Sequence, residues 1–334
     1  MAATLPRRFT ALLALLAVAV AMVPGSPAAA APNDPEGGSK KLRTALETAA
    51  KGYDQAKTKL AASKKRQKQL ALTLKSSEAS AKALTVQVNE VANRSYQMGR
   101  ISTVTMLLNS ASPDDFIDKV QSLDVLAQVD SGTLAEYQDD IATAKQAQIA
   151  LDAEIVEQKR QVNVMARKKR EAEIALAEVG GGAAGGFISA NSPAAQPAPR
   201  NSDGSWPKES CTVKDPTSGG CITPRTLHAY QQARADSFKR YTVCWSQRSS
   251  GEHPKGRACD FSSATGTFKN SAATGEDKAY GDRLAAYFVK NADELGVMYV
   301  IWYRQIWMSG SWRSYSASGG AAAEHTNHVH VSML

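Results

Sequence analysis

Four of the chain's five histidines fall in two short stretches near its C-terminus. Ser250–Phe261 carries His253 and Asp260 on either side of Gly256, and Glu324–Val331 carries His325, His328 and His330. Two imidazoles and a carboxylate, with a fourth position left open, are the donor set of a hydrolytic zinc site. Zinc lowers the pKa of bound water, and a neighbouring histidine with an ordinary pKa near 6.5 can exchange protons with it. On a strand rising ~3.4 Å per residue, His328 and His330 share a face ~7 Å apart, which suits one ligand and one residue beside the ligand shell. Val329 and Val331 would then face a core.

These residues need a compact domain to hold them, and composition says where it lies. All four Cys, all five Trp and all five His lie beyond residue 205, whereas residues 36–179 contain none of these and one proline, Pro113. Only the C-terminal part therefore has the residues of a globular core. Pro224–Phe238 reads as a helix capped by Thr223, and Asp277–Leu295 as another, closed by Gly296. Val297–Trp307 is the most strand-like run, so the expected fold is α+β, one sheet with helices packed on it. His228 falls on the first helix and reads as structural, and Trp302, Trp307 and Trp312 read as packing residues, with the lining of a substrate cleft as the alternative.

Arg7-Arg8, the apolar run Phe9–Val23 and the following Ala-rich stretch predict a signal peptide over residues 1–30. No second apolar run occurs, so no integral membrane span is expected after cleavage. In an exported chain Cys211, Cys221, Cys244 and Cys259 predict two disulfides; three pairings are open, and proximity favours Cys211–Cys221 with Cys244–Cys259. The formal charge of +8 suits an anionic partner, but the basic residues are dispersed and no aromatic–basic motif reads nucleic acid, so none is expected.

Before the domain, two long heptad patterns fill residues 36–179. The first runs from Leu42 through Leu46, Ala49 and Tyr53 to Val91; the second from Val120 through Leu123, Ala127 and Asp130 to Val179. Neither helix can leave its seam in water, and an antiparallel hairpin with its tip near 92–116 is the simplest pairing. Ser112 with Pro113, Asp114 and Asp115 forms a helix start. Residues 180–205, rich in Gly, Ala, Pro and Ser, read as a flexible linker that Phe187 and Ile188 could instead clip to the domain; the domain itself is expected over 206–334.

The tip run RSYQMGRISTVTMLLNSASPDDF resembles the hairpin tips of secreted peptidoglycan hydrolases, the NlpC-type endopeptidases and PcsB-like division proteins. That resemblance implies a regulatory and targeting arm, which in some members docks on a membrane protein, a division-site ABC transporter. His253, Gly256, Ala258 and Asp260 match HxxGxAxD, and His328-Val-His330 matches HxH. The domain thereby resembles zinc D-Ala-D-Ala carboxypeptidases and hedgehog-type metallopeptidases, in an actinobacterial secreted branch. The resemblance implies zinc on His253, Asp260 and His330, a catalytic His328, an accessory His325 and a charge-stabilising Arg248. It implies a secreted, wall-associated peptidase for peptidoglycan peptides. The different class kept beside it is a non-catalytic wall adaptor. The Glu-x-x-His pair of the dipeptidase branch is absent, so Glu324 is not cast as a base.

Overall fold

The computed structural model describes residues 39–187, 189 and 191–334; the expected signal peptide and Ile188 lie outside them. Helix α1 (Lys40–Leu108) starts at Ser39, whose side chain accepts from the Leu42 amide. Helix α2 (Pro113–Leu176) starts at Ser112, whose hydroxyl accepts from the Asp115 amide at 3.1 Å. Asp115 in turn accepts from Ala111 N–H, so the two ends of this short connection satisfy each other's free groups. The turn expected from Ala92 onward is therefore mostly helix, interrupted at Gly99, whose φ of +53° is open to glycine at little cost.

The helices run antiparallel. Gln67 meets Gln158 at 3.0 Å, Arg66 meets Glu154 and, nearer the tip, Arg94 meets Asp130. On α1 the buried positions Leu42, Leu46, Ala49, Ala56, Ser63, Ala81 and Val91 follow the expected register. On α2 half of it slips by one residue. Ala147 and Gln161 are buried, whereas the expected seam residues Ile141, Ile155 and Val162 are 47%, 40% and 52% exposed. The polar pairs account for the slip: Ser63 accommodates Glu154, which Arg66 grips, and that turns Ile155 outward.

The remaining residues form a seven-stranded antiparallel sheet in the order β1-β8-β7-β6-β9-β5-β4. Its strands are β1 (Gly180–Ala183), β4 (Thr242–Val243), β5 (Ala258–Ser262), β6 (Val297–Trp302), β7 (Gln305–Met308), β8 (Ser311–Tyr315) and β9 (His328–Met333). A separate ribbon joins β2 (Val213–Lys214) and β3 (Cys221–Ile222). Helix α3 (Pro224–Ala235) begins at Thr223 as expected, and the second expected helix is divided at Asn291 into α4 (Gly275–Lys290) and α5 (Ala292–Leu295). The run Val297–Trp307 is two strands, not one, because Tyr303 and Arg304 both take positive φ and turn the chain back in a two-residue hairpin.

The sheet buries both faces. Val300, Trp302, Val329 and Val331 pack with α3 and α4 around Phe261, Leu284, Tyr287 and Phe288. On the other face Met298, Tyr299, Ile301, Ile306 and Met308 meet Leu42, Leu46, Ala49, Leu176 and Val179 from the base of the hairpin. Glu47 extends this contact by pairing with Arg257 at 2.6 Å and Lys255 at 3.1 Å.

The stretch expected as a flexible tether is docked. Residues 180–183 pair with β8, Phe187 meets Trp312 edge-on at 5.2 Å, and Ala195 and Ala198 are buried. Its glycines bring backbone close to β8, and its one large aromatic has a partner there. Cys211 pairs with Cys221 and Cys244 with Cys259. Two disulfides fit a secreted or extracellular protein, and no described helix is long and apolar enough to cross a membrane.

Candidate metal centre

Strands β5 and β9 lie side by side with Asp260 opposite His330 and Ser262 opposite His328. Alternation then sends Val329 and Val331 into the helix-packed core and presents Asp260, His328 and His330 on the other face. His253 arrives from the loop before β5. That loop closes through Gly256, at φ +68°, where a Cβ would lie 2.5 Å from Cys211 Sγ; only glycine fits. Gly256 N–H donates to His253 O at 2.9 Å and fixes the turn.

Three donor atoms converge. His253 Nε2 lies 3.1 Å from Asp260 Oδ1 and 3.3 Å from His330 Nδ1, and His330 Nδ1 lies 2.8 Å from Asp260 Oδ1. A tetrahedral ion with bonds of about 2.0–2.1 Å would set its ligands about 3.3 Å apart, so this triangle has the right size for three ligands around one metal ion. All three residues are buried, and they form a group able to hold a metal ion.

The outer bonds orient the ligands. His253 Nδ1 donates to the carbonyl of Cys244, which leaves Nε2 with its lone pair toward the centre. His330 Nε2 lies 2.8 Å from Ser332 Oγ, which leaves Nδ1 facing Asp260. Burial alone would raise the Asp260 carboxyl, yet the imidazoles of His253, His328 and His330 gathered around it hold it well below the usual carboxylate range. Asp260 is thus an anion in a buried place, poised for a cation.

Arg248 is brought to the outer side of this carboxylate, Nη2 to Oδ2 at 3.1 Å. His328 stands outside the donor triangle, with Nε2 3.5 Å from Asp260 Oδ1. Its Nδ1 donates to Asn327 Oδ1 at 2.6 Å, so Nε2 carries the lone pair and has no hydrogen-bond partner among the described residues. Burial pushes the His328 imidazole down to about 4, against the opposing pull of Asp260, so the ring is neutral near pH 7 where an ordinary histidine would be partly charged.

His325 is also drawn in. Its ring centre is 4.7 Å from that of His328 and 5.5 Å from that of His330. It sits at φ +51°, and the β6–β7 turn anchors its loop: Tyr303 N–H donates to His325 O at 2.8 Å and Arg304 N–H to Glu324 O at 3.2 Å. Burial, with His328 and His330 nearby, keeps it neutral. Glu324 points away into a pair with Arg304, and His228 bonds Gln196 O on α3's outer side. Trp302 is buried and donates to Asp282.

Reading the residues in order misses Ser332, Asn327 and the Cys244 carbonyl. Ser332 was within reach, since it lies two residues beyond His330 on the same strand face. The carbonyl had no signal, because any residue type supplies one.

The fold and site together define an α+β domain, a seven-stranded sheet with a small two-stranded ribbon and packed helices, built around a buried His–Asp–His group that could hold a metal ion. A family model described as VldE, C-terminal domain, matches residues 218–326. That match takes in Arg248, His253, Asp260 and His325 but stops short of His328 and His330, and it spans about a third of the chain. No curated protein and no solved structure matches the chain.

Proposed function

We propose that the C-terminal domain is a zinc peptidase of the D-Ala-D-Ala carboxypeptidase type, with a hedgehog-like fold, acting outside the cell on peptidoglycan stem peptides or cross-links. The observation that carries this reading is the triangle formed by His253 Nε2, Asp260 Oδ1 and His330 Nδ1, with Arg248 and His328 beside it. Those three atoms would hold the zinc. Zinc, when bound, supplies Lewis acidity and water of lowered pKa. His328 Nε2, neutral and without a bonded proton, accepts a proton from the attacking water and returns it to the leaving amine. Arg248 steadies negative charge on the substrate or its tetrahedral oxygen. The exposed Val104, Leu108, Phe116 and Ile117 at the hairpin tip support docking on a membrane protein, a division-site transporter in the families the tip resembles.

Zinc analysis with mass spectrometry of digested muropeptides tests this. His330→Ala should lose both zinc and turnover, and His328→Ala should keep zinc and lose turnover. Digestion by both variants at the wild-type rate would end the enzymatic reading. The burial of every site histidine favours one other reading, a non-catalytic wall adaptor. Zinc-loaded protein that binds wall peptides and releases no product would establish it.

A further inference from the structure

The slipped register of α2 leaves an apolar stripe that no described residue covers fully. Val120, Leu134, Ile141, Ile155 and Val162 are each 36–52% exposed, Ala127 is exposed too, and all sit on one seven-residue repeat broken only by Gln148. Over 42 residues the stripe is ~63 Å long. A strict seven-residue apolar repeat is the pattern that seats another helix in a left-handed supercoil, and in water it is costly to leave bare.

Charge identifies the occupant. Between residues 113 and 140, α2 carries eight carboxylates and one lysine, net −7; between 141 and 170 it carries seven bases and three acids, net +4. The sign changes at Ile141, which is also the midpoint of the stripe between Val120 and Val162. A second copy laid antiparallel about a two-fold axis through Ile141 therefore sets each acidic half on a basic half. It also sets Val120 on the second copy's Val162, Ala127 on its Ile155 and Ile141 on its Ile141. A parallel copy would instead stack acid on acid. We propose that two chains associate through α2 in this antiparallel register, making a four-helix rod with a globular domain toward each end. Such a two-fold contact is self-complementary and closes on itself.

The described cysteines are all in disulfides, so one introduced cysteine is a clean reporter. In sedimentation equilibrium of the chain beyond the expected cleavage point, the mass should be twice the monomer's. Dissociation should rise about tenfold or more as salt increases from about 0.05 to 0.5 M, since the paired charges are exposed. Ile141→Lys, which puts like charges on the axis at a position already exposed, should give monomers with unchanged helix content. On mild oxidation Ile141→Cys should cross-link to itself, while Val120→Cys and Val162→Cys should cross-link only when mixed. Self-linking of Val120→Cys would show a parallel pair and overturn the proposal, as would a monomeric mass at about 0.1 mM protein.

Discussion

His253 is tied to Cys244, whose carbonyl accepts from its imidazole, and the Cys244 sulfur is bonded in turn to Cys259, the residue before Asp260. One covalent link thus ties together the two segments that deliver the first two donor atoms. Replacing both cysteines by serine should weaken metal affinity about tenfold or more, measured by competition with a chelator, because outer bonds that aim ligands have effects of this size. Closing a loop of this length also accounts for about 3 kcal/mol of stability, readable in denaturant melts of the same variant. Metal affinity equal to wild type would show that the loop holds its shape without the bond.

Ser332 offers a milder test of ligand aiming. Ser332→Ala removes the partner of His330 Nε2 and frees the ring to turn, so metal affinity should fall while the sheet, measured by circular dichroism, stays intact. Ser332→Thr, which keeps the hydroxyl, should recover most of the loss.

Acid should destabilise the metal-free protein over a defined range. His328 titrates at about 4 when folded and near 6.5 when unfolded, and His325 is shifted the same way. Between those values the unfolded chain binds more protons, so stability falls as pH drops from about 6.5 toward 4. Each group contributes a slope of at most about 1.4 kcal/mol per pH unit. Above pH 6.5 these two groups contribute no slope. Urea melts across pH 4–8 would show this, and a flat profile below 6.5 would contradict the buried neutral state of both rings.

The hairpin base responds to a separate group. Burial tends to raise the Glu47 carboxyl, but Lys51 and Arg257 outweigh it and bring it to about 2. Its attraction for Arg257 and Lys255 is complete above about 4.5 and fades as pH falls toward 2. At neutral pH Glu47→Gln should speed hydrogen exchange in the first turns of α1 and leave exchange in α4 unchanged.

Phe187 is the anchor of the docked segment 180–187. Phe187→Ala removes its contact with Trp312 and should make this segment several times more susceptible to limited proteolysis, with the site untouched.

Legibility differed by element for physical reasons. The His–Asp–His group was readable as a candidate donor set because metal chemistry fixes residue types, and two-residue alternation fixed which face His328 and His330 share. Proximity also suggested both disulfide pairs. The α1 seam was readable from its 4,3 spacing. On α2 the apolar spacing pointed to Ile141, Ile155 and Val162, whereas the positions turned toward α1 include the polar Glu154 and Gln161; that choice lay in pairs such as Arg66 with Glu154, which need both helices at once. The Gly-rich stretch read as a tether because glycine is flexible alone, while its pairing with β8 depends on a strand more than a hundred residues away. The turn at Tyr303 and Arg304 had no glycine or asparagine to announce its positive φ.

The contact between the hairpin and the sheet also has a mechanical side. The root of the rod, Leu42 to Ala50, is ~12 Å long and rests on the sheet face that bears the donor triangle, while the seam continues another ~60 Å to Val91. Taken as a stiff lever, that geometry multiplies a sideways load at the far end about fivefold at the root. Beyond Val91, α1 is interrupted at Gly99, while α2 runs unbroken alongside it. The hairpin is therefore a forearm whose elbow rests beside the candidate centre.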